Sequence, residues 1–298
     1  MNRKFQILPL SLALLTLSAC STDVDDEDNM NAVSMKTASL VIPTDGSKPT
    51  VCESDYIVSY KTQSLLATLT CQGVVTDLGN VAFTTAETPL GLYSDGSMRI
   101  NGASAAWGQT QISDVKMFKP GIVYNVTETA VPGFDILRNY NPVAISYNIG
   151  HDIVVRTFPG DAFYGGTTTT NYPTQEGSME SFDSSEIIYR VRFKQAYKKA
   201  DVIIYNARFA PQQPFTMAAI LLKDLDVDLT SSGYAVHNTP GTPVVPEALE
   251  SGVLVPYSHF SFDIFMLNTV NEDLTEVAVN YTVAGRYNGR FSGSYYLK

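Results

Sequence analysis

The chain has 298 residues, of which 44% are hydrophobic and 17% are charged, and its formal net charge is −10 at neutral pH. This length and apolar content predict two domains, or one large β domain, whose core needs neither metals nor many disulfides. The negative charge disfavours nucleic acid as a partner, because the protein would repel a phosphate backbone.

The first 19 residues have the pattern of an export signal. Arg3 and Lys4 form a short basic start, and the apolar segment 5–17 follows them. A helix that spans a bilayer needs about 20 apolar residues, so this segment is too short to remain as a span. Residues 1–19 are therefore predicted to be a signal peptide that is removed.

The end of this segment, Leu17-Ser18-Ala19-Cys20, resembles the bacterial lipobox. The resemblance implies that Cys20 becomes the first residue and carries diacylglycerol, so that the membrane is a partner through a lipid anchor. Two or three acyl chains would hold the protein stably, because each buried methylene contributes about 0.8 kcal/mol. The alternative is an ordinary secretory leader with a chance cysteine at its cleavage site.

An acidic run follows the cysteine: five of the eight residues from Ser21 to Asp28 are Asp or Glu. Such a run cannot collapse onto a core, so residues 20–37 are predicted to be a solvated tether. The run also resembles the export signal of Bacteroidetes surface lipoproteins. That resemblance implies a protein anchored to the outer membrane and facing the cell exterior; the alternative is the same anchor facing the periplasm.

The rest of the chain is predicted to be β structure, arranged as one module that is present in two copies. Alternation of apolar and polar residues, as in 189–194 and 277–283, predicts half-buried strands, and Asn-Gly and Asp-Gly pairs predict the turns. Four sequence blocks return in the same order, displaced by 128 to 137 residues. This favours a tandem duplication over the chance similarity that short β-strand sequences often have. The blocks are 56–60 with 186–190, 94–101 with 231–238, 134–137 with 262–265, and 142–150 with 276–285.

Residues 164–183 are rich in Gly, Thr, Pro and Ser without apolar periodicity, so they are predicted to be a linker. The first β domain would then cover residues 38–163 and the second residues 184–298. The predicted fold class is all-β: two tandem antiparallel domains of similar topology, each a β-sandwich or a small β-barrel.

Two charged clusters invite a binding interpretation. Asp224, Asp226 and Asp228 alternate along a predicted strand, but they lack the glycine and glutamate of a calcium-binding EF-hand loop, so no metal site is predicted. A solvated strand face, paired with a basic face on a neighbouring strand, is the preferred interpretation. The basic residues are Arg190, Arg192, Lys194, Lys198 and Lys199.

Two cysteines remain after Cys20. If the chain folds back near residues 61–62, Cys52 and Cys71 would lie opposite each other across a hairpin and could form a disulfide outside the cytoplasm. Two buried free thiols are the alternative. The spacing of these residues matches no zinc motif.

The sequence offers no recognisable catalytic arrangement. His151, His237 and His259 lie in no nucleophile elbow or zinc-protease motif, so the chain is predicted not to be an enzyme and to need no cofactor. The candidates for ligand contact are aromatic. Trp107 could offer a stacking surface or anchor a loop, and Tyr287 and Tyr295 of the tyrosine-rich C-terminal segment could line a ligand mouth.

Beyond the leader and tether, the chain resembles two-domain all-β lipoproteins of Bacteroidetes, some of them calycin-like, at the level of architecture alone. We therefore expect a non-enzymatic, lipid-anchored surface protein that binds a partner or a ligand, either a glycan or an apolar small molecule. The alternatives are a structural or adhesive subunit similar to the fimbrillins, which also combine a lipobox with two β domains, and a hydrolase with an unfamiliar site.

Overall fold

A computed structural model describes residues 29–121, 129–137, 142–213, 216–271 and 276–295. All regular structure in these ranges is β-strand and no residue in them is helical. None of the described residues therefore belongs to a helix long and apolar enough to cross a membrane. The predicted signal peptide, the anchor residue Cys20 and the acidic run lie outside the described residues.

The strands form two closed barrels in series. The first barrel uses β1 (Met30–Pro43), β2 (Thr50–Lys61), β3 (Leu66–Thr76), β4 (Gly79–Thr84), β5 (Thr88–Leu92), β6 (Met98–Trp107), β7 (Thr110–Lys119), β8 (Ala144–Ile149) and β9 (Ile153–Phe158). Eight of these strands pair around the ring in the order β1-β2-β3-β5-β6-β7-β8-β9, and β9 pairs with β1 to close it. Strand β4 pairs with β3 outside the ring.

The second barrel follows after Pro159 and Gly160. Its strands are β10 (Asp161–Pro173), β11 (Met179–Ser184), β12 (Ile188–Lys194), β13 (Lys199–Ala207), β14 (Met217–Thr230), β15 (Gly233–His237), β16 (Glu247–Glu250), β17 (Val253–Pro256), β18 (Phe262–Thr269), β19 (Glu276–Val283) and β20 (Tyr287–Tyr295). The ring order is β10-β12-β13-β14-β15-β18-β19-β20, and β20 pairs with β10 to close it. Strand β11 extends from β10, and the β16–β17 hairpin extends from β14.

Both barrels are therefore up-and-down rings of eight antiparallel strands, which confirms the predicted fold class and decides for barrels over sandwiches. Three of the four repeated sequence blocks occupy matching places. These are β2 with β12, the turn into β6 with the turn into β15, and β8 with β19. The fourth match is wrong, because residues 134–137 lie in the connection before β8 whereas residues 262–265 begin β18.

The predicted domain boundaries need correction. Residues 164–183 are not a linker, because they supply most of β10 and β11, and β10 pairs with β12 and β20 in the ring. The change from one barrel to the other falls at residues 159–160. The predicted tether is too long at its C-terminal end, since β1 already begins at Met30 and pairs with β2 from there.

Side chains fill the interior of both barrels. Along β19, Val277, Val279, Tyr281 and Val283 are buried, while the residues between them are more exposed, as expected for a strand with one face inside a barrel. In the first barrel the inward side includes a polar chain: the Ser39 hydroxyl lies 2.9 Å from that of Tyr56, which lies 3.1 Å from that of Tyr147.

The outer face of the first barrel packs against the second. Leu40 and Ile42 alternate with the inward Ser39 and are buried in a cluster that includes many second-barrel side chains. Phe158 at the end of β9 meets the ring of Tyr234 with a centroid distance of 4.9 Å. Nη1 of Arg156 donates a hydrogen bond to the carbonyl of Val270 at 3.1 Å. A shared apolar contact thus joins the barrels.

Candidate ligand-binding site

A cavity of about 780 Å³ opens at the end of the second barrel that carries the end of β10 and the starts of β14 and β20. Its volume is within the range of small-molecule sites, and barrel mouths are a common place for them. One side is aromatic and aliphatic and the other is polar. The apolar side is formed by Phe209, Met217, Tyr257, Phe260 and Tyr287.

Phe209 is the centre of the aromatic side. Its ring lies 6.3 Å from those of Phe260 and Tyr287 and 6.1 Å from that of Tyr281, measured between centroids. Tyr257 stacks on Phe260 at 5.0 Å with an interplanar angle of 14°. Phe209 itself is buried, so the half-buried rings around it rest on a fixed base and continue the barrel core outward.

The loop that carries Phe209 is held by local hydrogen bonds. The backbone N–H of Phe209 donates to Oε1 of Gln213 at 2.9 Å. The side-chain amide of Gln213 donates to the carbonyl of Ala207, and its backbone N–H donates to the carbonyl of Ala210. The Arg208 guanidinium donates to the carbonyls of Ala210 and Pro211. These contacts hold residues 207–213 in place before any ligand arrives, which reduces the ordering cost of binding.

The β10–β11 hairpin supplies the polar side. The hydroxyls of Thr174 and Ser178 lie 2.8 Å apart across its turn. The Tyr172 hydroxyl donates to Oε2 of Glu180 at 2.7 Å, and this hydrogen bond to a carboxylate raises the pKa of Tyr172. Neutral hydroxyls and amides dominate this side, with Glu176 and Glu180 as the charged lining residues.

The barrel interior beneath the mouth is closed by buried tyrosines. The Tyr164 hydroxyl lies 2.8 Å from that of Tyr234 and accepts a hydrogen bond from Nδ2 of Asn268 at 3.0 Å. Nearer the mouth, the hydroxyls of Tyr281 and Thr170 are 3.5 Å apart, and burial raises the pKa of Tyr281. A ligand would therefore lie over Phe209 rather than deep inside the barrel.

The structure places the three predicted contact residues in three different environments. Tyr287 lines the mouth. Tyr295 is buried deep in the barrel, where its ring stacks on Tyr164 at 5.5 Å. Trp107 ends β6 in the first barrel, half-buried against its hydrophobic cluster and next to Gly79, which is the loop-anchoring role. The prediction for Tyr295 as an accessible ligand contact is wrong.

The other aromatic residues of the mouth were not predicted from the sequence. Phe209, Tyr257 and Phe260 come from two connections that are about fifty residues apart along the chain. One signal was available: Tyr257, His259 and Phe260 crowd into a stretch without strand alternation. Aromatic residues concentrated in a loop often indicate a binding surface.

No protein-family model matches the chain, and no curated protein sequence matches it. Solved structures similar to it include a candidate outer membrane protein of Bacteroides fragilis, at 8% identity and a TM-score of 0.30, covering 88% of this chain and 97% of that one. Another is a candidate ATTH of Nitrosomonas europaea, at 11% identity and a TM-score of 0.20, covering 91% and 93%. Likenesses this distant support no argument about function.

Part of the predicted pairing between basic and acidic strand residues is present, through Lys194 and Lys199. Nζ of Lys194 lies 2.8 Å from Oδ1 of Asp224, and Nζ of Lys199 lies 2.7 Å from Oδ1 of Asp226. Arg190 is an exception to the predicted exposed basic face, since its side chain is 1% exposed and pairs with Asp161. Among the described residues, no group of three or more His, Cys, Asp or Glu side chains is arranged to hold a metal ion.

Cys52 and Cys71 are free thiols. The register of the β2–β3 hairpin places Tyr56 opposite Cys71, whereas Cys52 lies four residues earlier in β2 and pairs with Ser39 of β1. The expectation that Cys52 and Cys71 face each other across this hairpin is wrong, because the fold-back point lies nearer to Cys71 along the chain than the sequence suggested. Cys71 is buried and Cys52 is half-buried.

Proposed function

We propose that this protein is a non-enzymatic, lipid-anchored cell-surface protein that binds a small amphipathic ligand at the mouth of its second barrel. The observation that carries the proposal is the pre-formed cavity over Phe209, with rings on one side and, on the other, mostly neutral polar groups together with Glu176 and Glu180. A ligand with an apolar face or chain and a few hydroxyl or amide groups would satisfy both sides.

Anchoring rests on the lipobox resemblance at Cys20 and on the acidic run that follows it. The expected place is the outer membrane, with the barrels facing the cell exterior and the acidic tether holding them clear of the lipid. Cys20→Ala should move the protein from the membrane fraction to the soluble fraction. Intact mass should show acyl chains on the wild-type protein alone; an unacylated wild-type protein would contradict the anchor.

Ligand binding is tested on the chain from Ser21 onward, which contains all described residues. The probes are N-phenyl-1-naphthylamine, an apolar fluorophore, and a panel of fatty acids and neutral glycans that compete with it. Phe260→Ala and Tyr287→Ala should each weaken probe binding by about tenfold or more, as truncation of a central aromatic contact does.

Tyr93→Ala is the matched control, because Tyr93 is an exposed tyrosine in the first barrel and lines no part of the mouth. It should leave the affinity for the probe unchanged. The proposal is wrong if neither the fluorophore nor any panel member binds, or if the two mouth variants bind as tightly as the wild type.

A structural or adhesive subunit is the second candidate, and one observation favours it. Strand β17 pairs with β16 on one side, and Val253 and Val255 on it are 60% and 37% exposed. An exposed apolar strand at a sheet edge is a template for pairing with another chain. Assembly on cells after proteolysis, lost in Val253→Lys, would favour this function; full-length monomer alone would contradict it.

A further inference from the structure

A second concave surface lies on the outer wall of the second barrel and shares no lining residue with the mouth. It is a groove of about 770 Å³ over β18, β19, β20 and β10. The strand registers place one outward row of side chains across its floor: His237, Phe265, Asn280 and Arg290 are successive cross-strand neighbours. Neighbouring strands are about 4.8 Å apart, so Phe265 and Arg290 are separated by about 10 Å.

Phe265 gives this row a pre-oriented aromatic face. The residue is 46% exposed, although it occupies the middle of a strand, and His237 stacks on its ring at 6.1 Å with an interplanar angle of 23°. The His237 ring is fixed in turn, because Nδ1 lies 2.9 Å from the carbonyl of Asn238 and Nε2 lies 3.1 Å from Oδ2 of Asp228. A flat ligand ring could stack on Phe265 with little loss of side-chain freedom.

Polar groups with both donors and acceptors surround the ring. The next row across the same strands is Asp263, Thr282, Asn288 and Asn171. The Thr282 hydroxyl donates to Oδ1 of Asn288 at 2.9 Å, which leaves the amide N–H groups of Asn288 directed elsewhere. The exposed guanidinium of Arg290 has no hydrogen bond or ion pair with any described residue.

One wall of the groove is formed by the loop after β15, which contributes Pro240 and Gly241. Asn238 fixes this loop. Its Nδ2 donates to the carbonyls of Thr239 and Thr242, each at 3.2 Å, and its Oδ1 accepts from the N–H of Ile264 at 2.7 Å. Asn238 is 8% exposed, so the wall is part of the fold rather than a loose flap.

We infer that this groove is a binding site for a neutral carbohydrate, separate from the mouth. The lining carries one arginine and one aspartate, whose charges offset each other, and His237, which pairs with Asp228; a strongly charged ligand therefore gains little. Sugar hydroxyls both donate and accept, which matches the mixture of amide, carboxylate and guanidinium groups. The apolar face of a sugar ring matches the exposed face of Phe265.

A peptide fits this surface less well. Strands β18, β19, β20 and β10 are all paired on both sides, so the groove floor offers no free edge to which an extended peptide could add as a strand. Only side chains are available for contact, and the planar polar groups among them are spaced along a row rather than gathered into one pocket.

The test measures binding of cellohexaose, maltohexaose and xylohexaose to the full chain from Ser21 onward by calorimetry, with an oligogalacturonate and a mixed peptide pool as further arms. At least one neutral oligosaccharide should bind, with little dependence on salt. Phe265→Ala should weaken it by about tenfold or more, and Arg290→Gln should weaken it by a smaller factor. Both substitutions are at exposed positions, and circular dichroism verifies that the variants fold.

Leu267→Ala is the matched control, because Leu267 lies on the same face of β18, one row away, and is 38% exposed. It should bind as the wild type does. Tyr287→Ala is a further arm, which tests whether the sugar occupies the mouth instead. The inference is overturned if no neutral oligosaccharide binds, if Phe265→Ala binds normally, or if only the acidic oligosaccharide or the peptides bind. Loss in Tyr287→Ala alone would place the sugar at the mouth and overturn this inference while supporting the proposed function.

Discussion

Arg190 and Asp161 form a two-point ion pair at the base of the second barrel. Nε donates to Oδ1 at 2.7 Å and Nη2 donates to Oδ2 at 2.8 Å. Nη2 also donates to the carbonyl of Asp135 at 2.9 Å, and the guanidinium lies 5.6 Å from the ring centroid of Phe134. Residues 134 and 135 belong to the first barrel's connection before β8, so one buried arginine contacts both barrels.

The first prediction concerns Asp161→Asn. It would leave a guanidinium that is 1% exposed without its counter-charge, and breaking a buried pair in this way costs about 3 kcal/mol or more. Urea unfolding followed by circular dichroism should show a lower midpoint. Glu53→Gln is the control, since it removes an exposed pair with Lys36 and should change the midpoint little. Equal midpoints for Asp161→Asn and wild type would show that the pair contributes no net stability.

A second prediction concerns Gly289, whose place in β20 lies directly over the ring of Tyr281. A Cβ at this position would lie 2.0 Å from Cζ of that buried ring. Tyr281 cannot move without disturbing the aromatic cluster around Phe209, so Gly289→Ala should destabilise the barrel by about 2 kcal/mol or more. The thermal midpoint measures this.

The control for that substitution is Gly73→Ala in the first barrel. A Cβ there would meet Oδ1 of Asn80 at 2.7 Å, but Asn80 is exposed and its side chain can swing away. The midpoint should therefore change little. If Gly289→Ala and Gly73→Ala have the same effect, the ring of Tyr281 is not the constraint on β20.

The fold class could be predicted from the sequence because alternation survives in single strands. In β12 and β19 the pattern of apolar residues gives the inward face directly. Ring closure could not be predicted, since it depends on the pairing of β1 with β9 and of β10 with β20. Those contacts join residues more than a hundred positions apart, and no local pattern encodes them.

The linker prediction failed for a physical reason that Gly166 illustrates. A Cβ at Gly166 would lie 2.2 Å from the carbonyl oxygen of Ser292, so glycine is needed for the close approach of β10 and β20. The same residue type is common in linkers, and composition alone does not separate the two uses. The run of four threonines after it was the better signal, because β-branched residues favour strands.

The candidate site could be predicted only in part. Tyr287 and Tyr295 both lie on the inward side of β20, so the sequence places them on the same face. Eight residues of strand separate them by about 26 Å, which puts one at the mouth and the other deep in the barrel. The alternation of apolar and polar residues does not predict the position of a residue along the barrel axis. It also does not predict the contact between the rings of Phe209 and Phe260.

A third prediction concerns protonation of His237. Partial burial lowers its pKa, but the carbonyl of Asn238 and the carboxylates of Asp228 and Asp226 raise it, and the net result is a pKa above 6.5. The protonated ring therefore stabilises the fold below about pH 6.5, and this contribution is lost as the pH rises through the raised pKa.

NMR titration of the His237 ring measures this pKa directly. Asp228→Asn should lower it, because the substitution removes a negative charge 3.1 Å from Nε2. Asp226 should contribute less, since Lys199 already neutralises it. Asp152→Asn is the control, because Asp152 is exposed near His151 in the first barrel and is absent from the surroundings of His237. An unchanged pKa in Asp228→Asn would mean that the pair does not form in solution.

The fourth prediction concerns the reactivity of the two thiols in the chain from Ser21 onward. Cys71 is 1% exposed, and burial raises the pKa of its thiol, so little reactive thiolate forms there. Cys52 is half-buried at the barrel wall. Iodoacetamide at mildly alkaline pH should therefore label Cys52 first, and Cys71 should react only after unfolding in guanidinium.

Cys52→Ser should leave the native protein almost unlabelled, whereas Cys71→Ser should react at the wild-type rate. Similar labelling rates at both positions, or a tryptic peptide pair joined by a disulfide from unreduced protein, would contradict this account, because the β2–β3 register places Tyr56 and not Cys52 opposite Cys71.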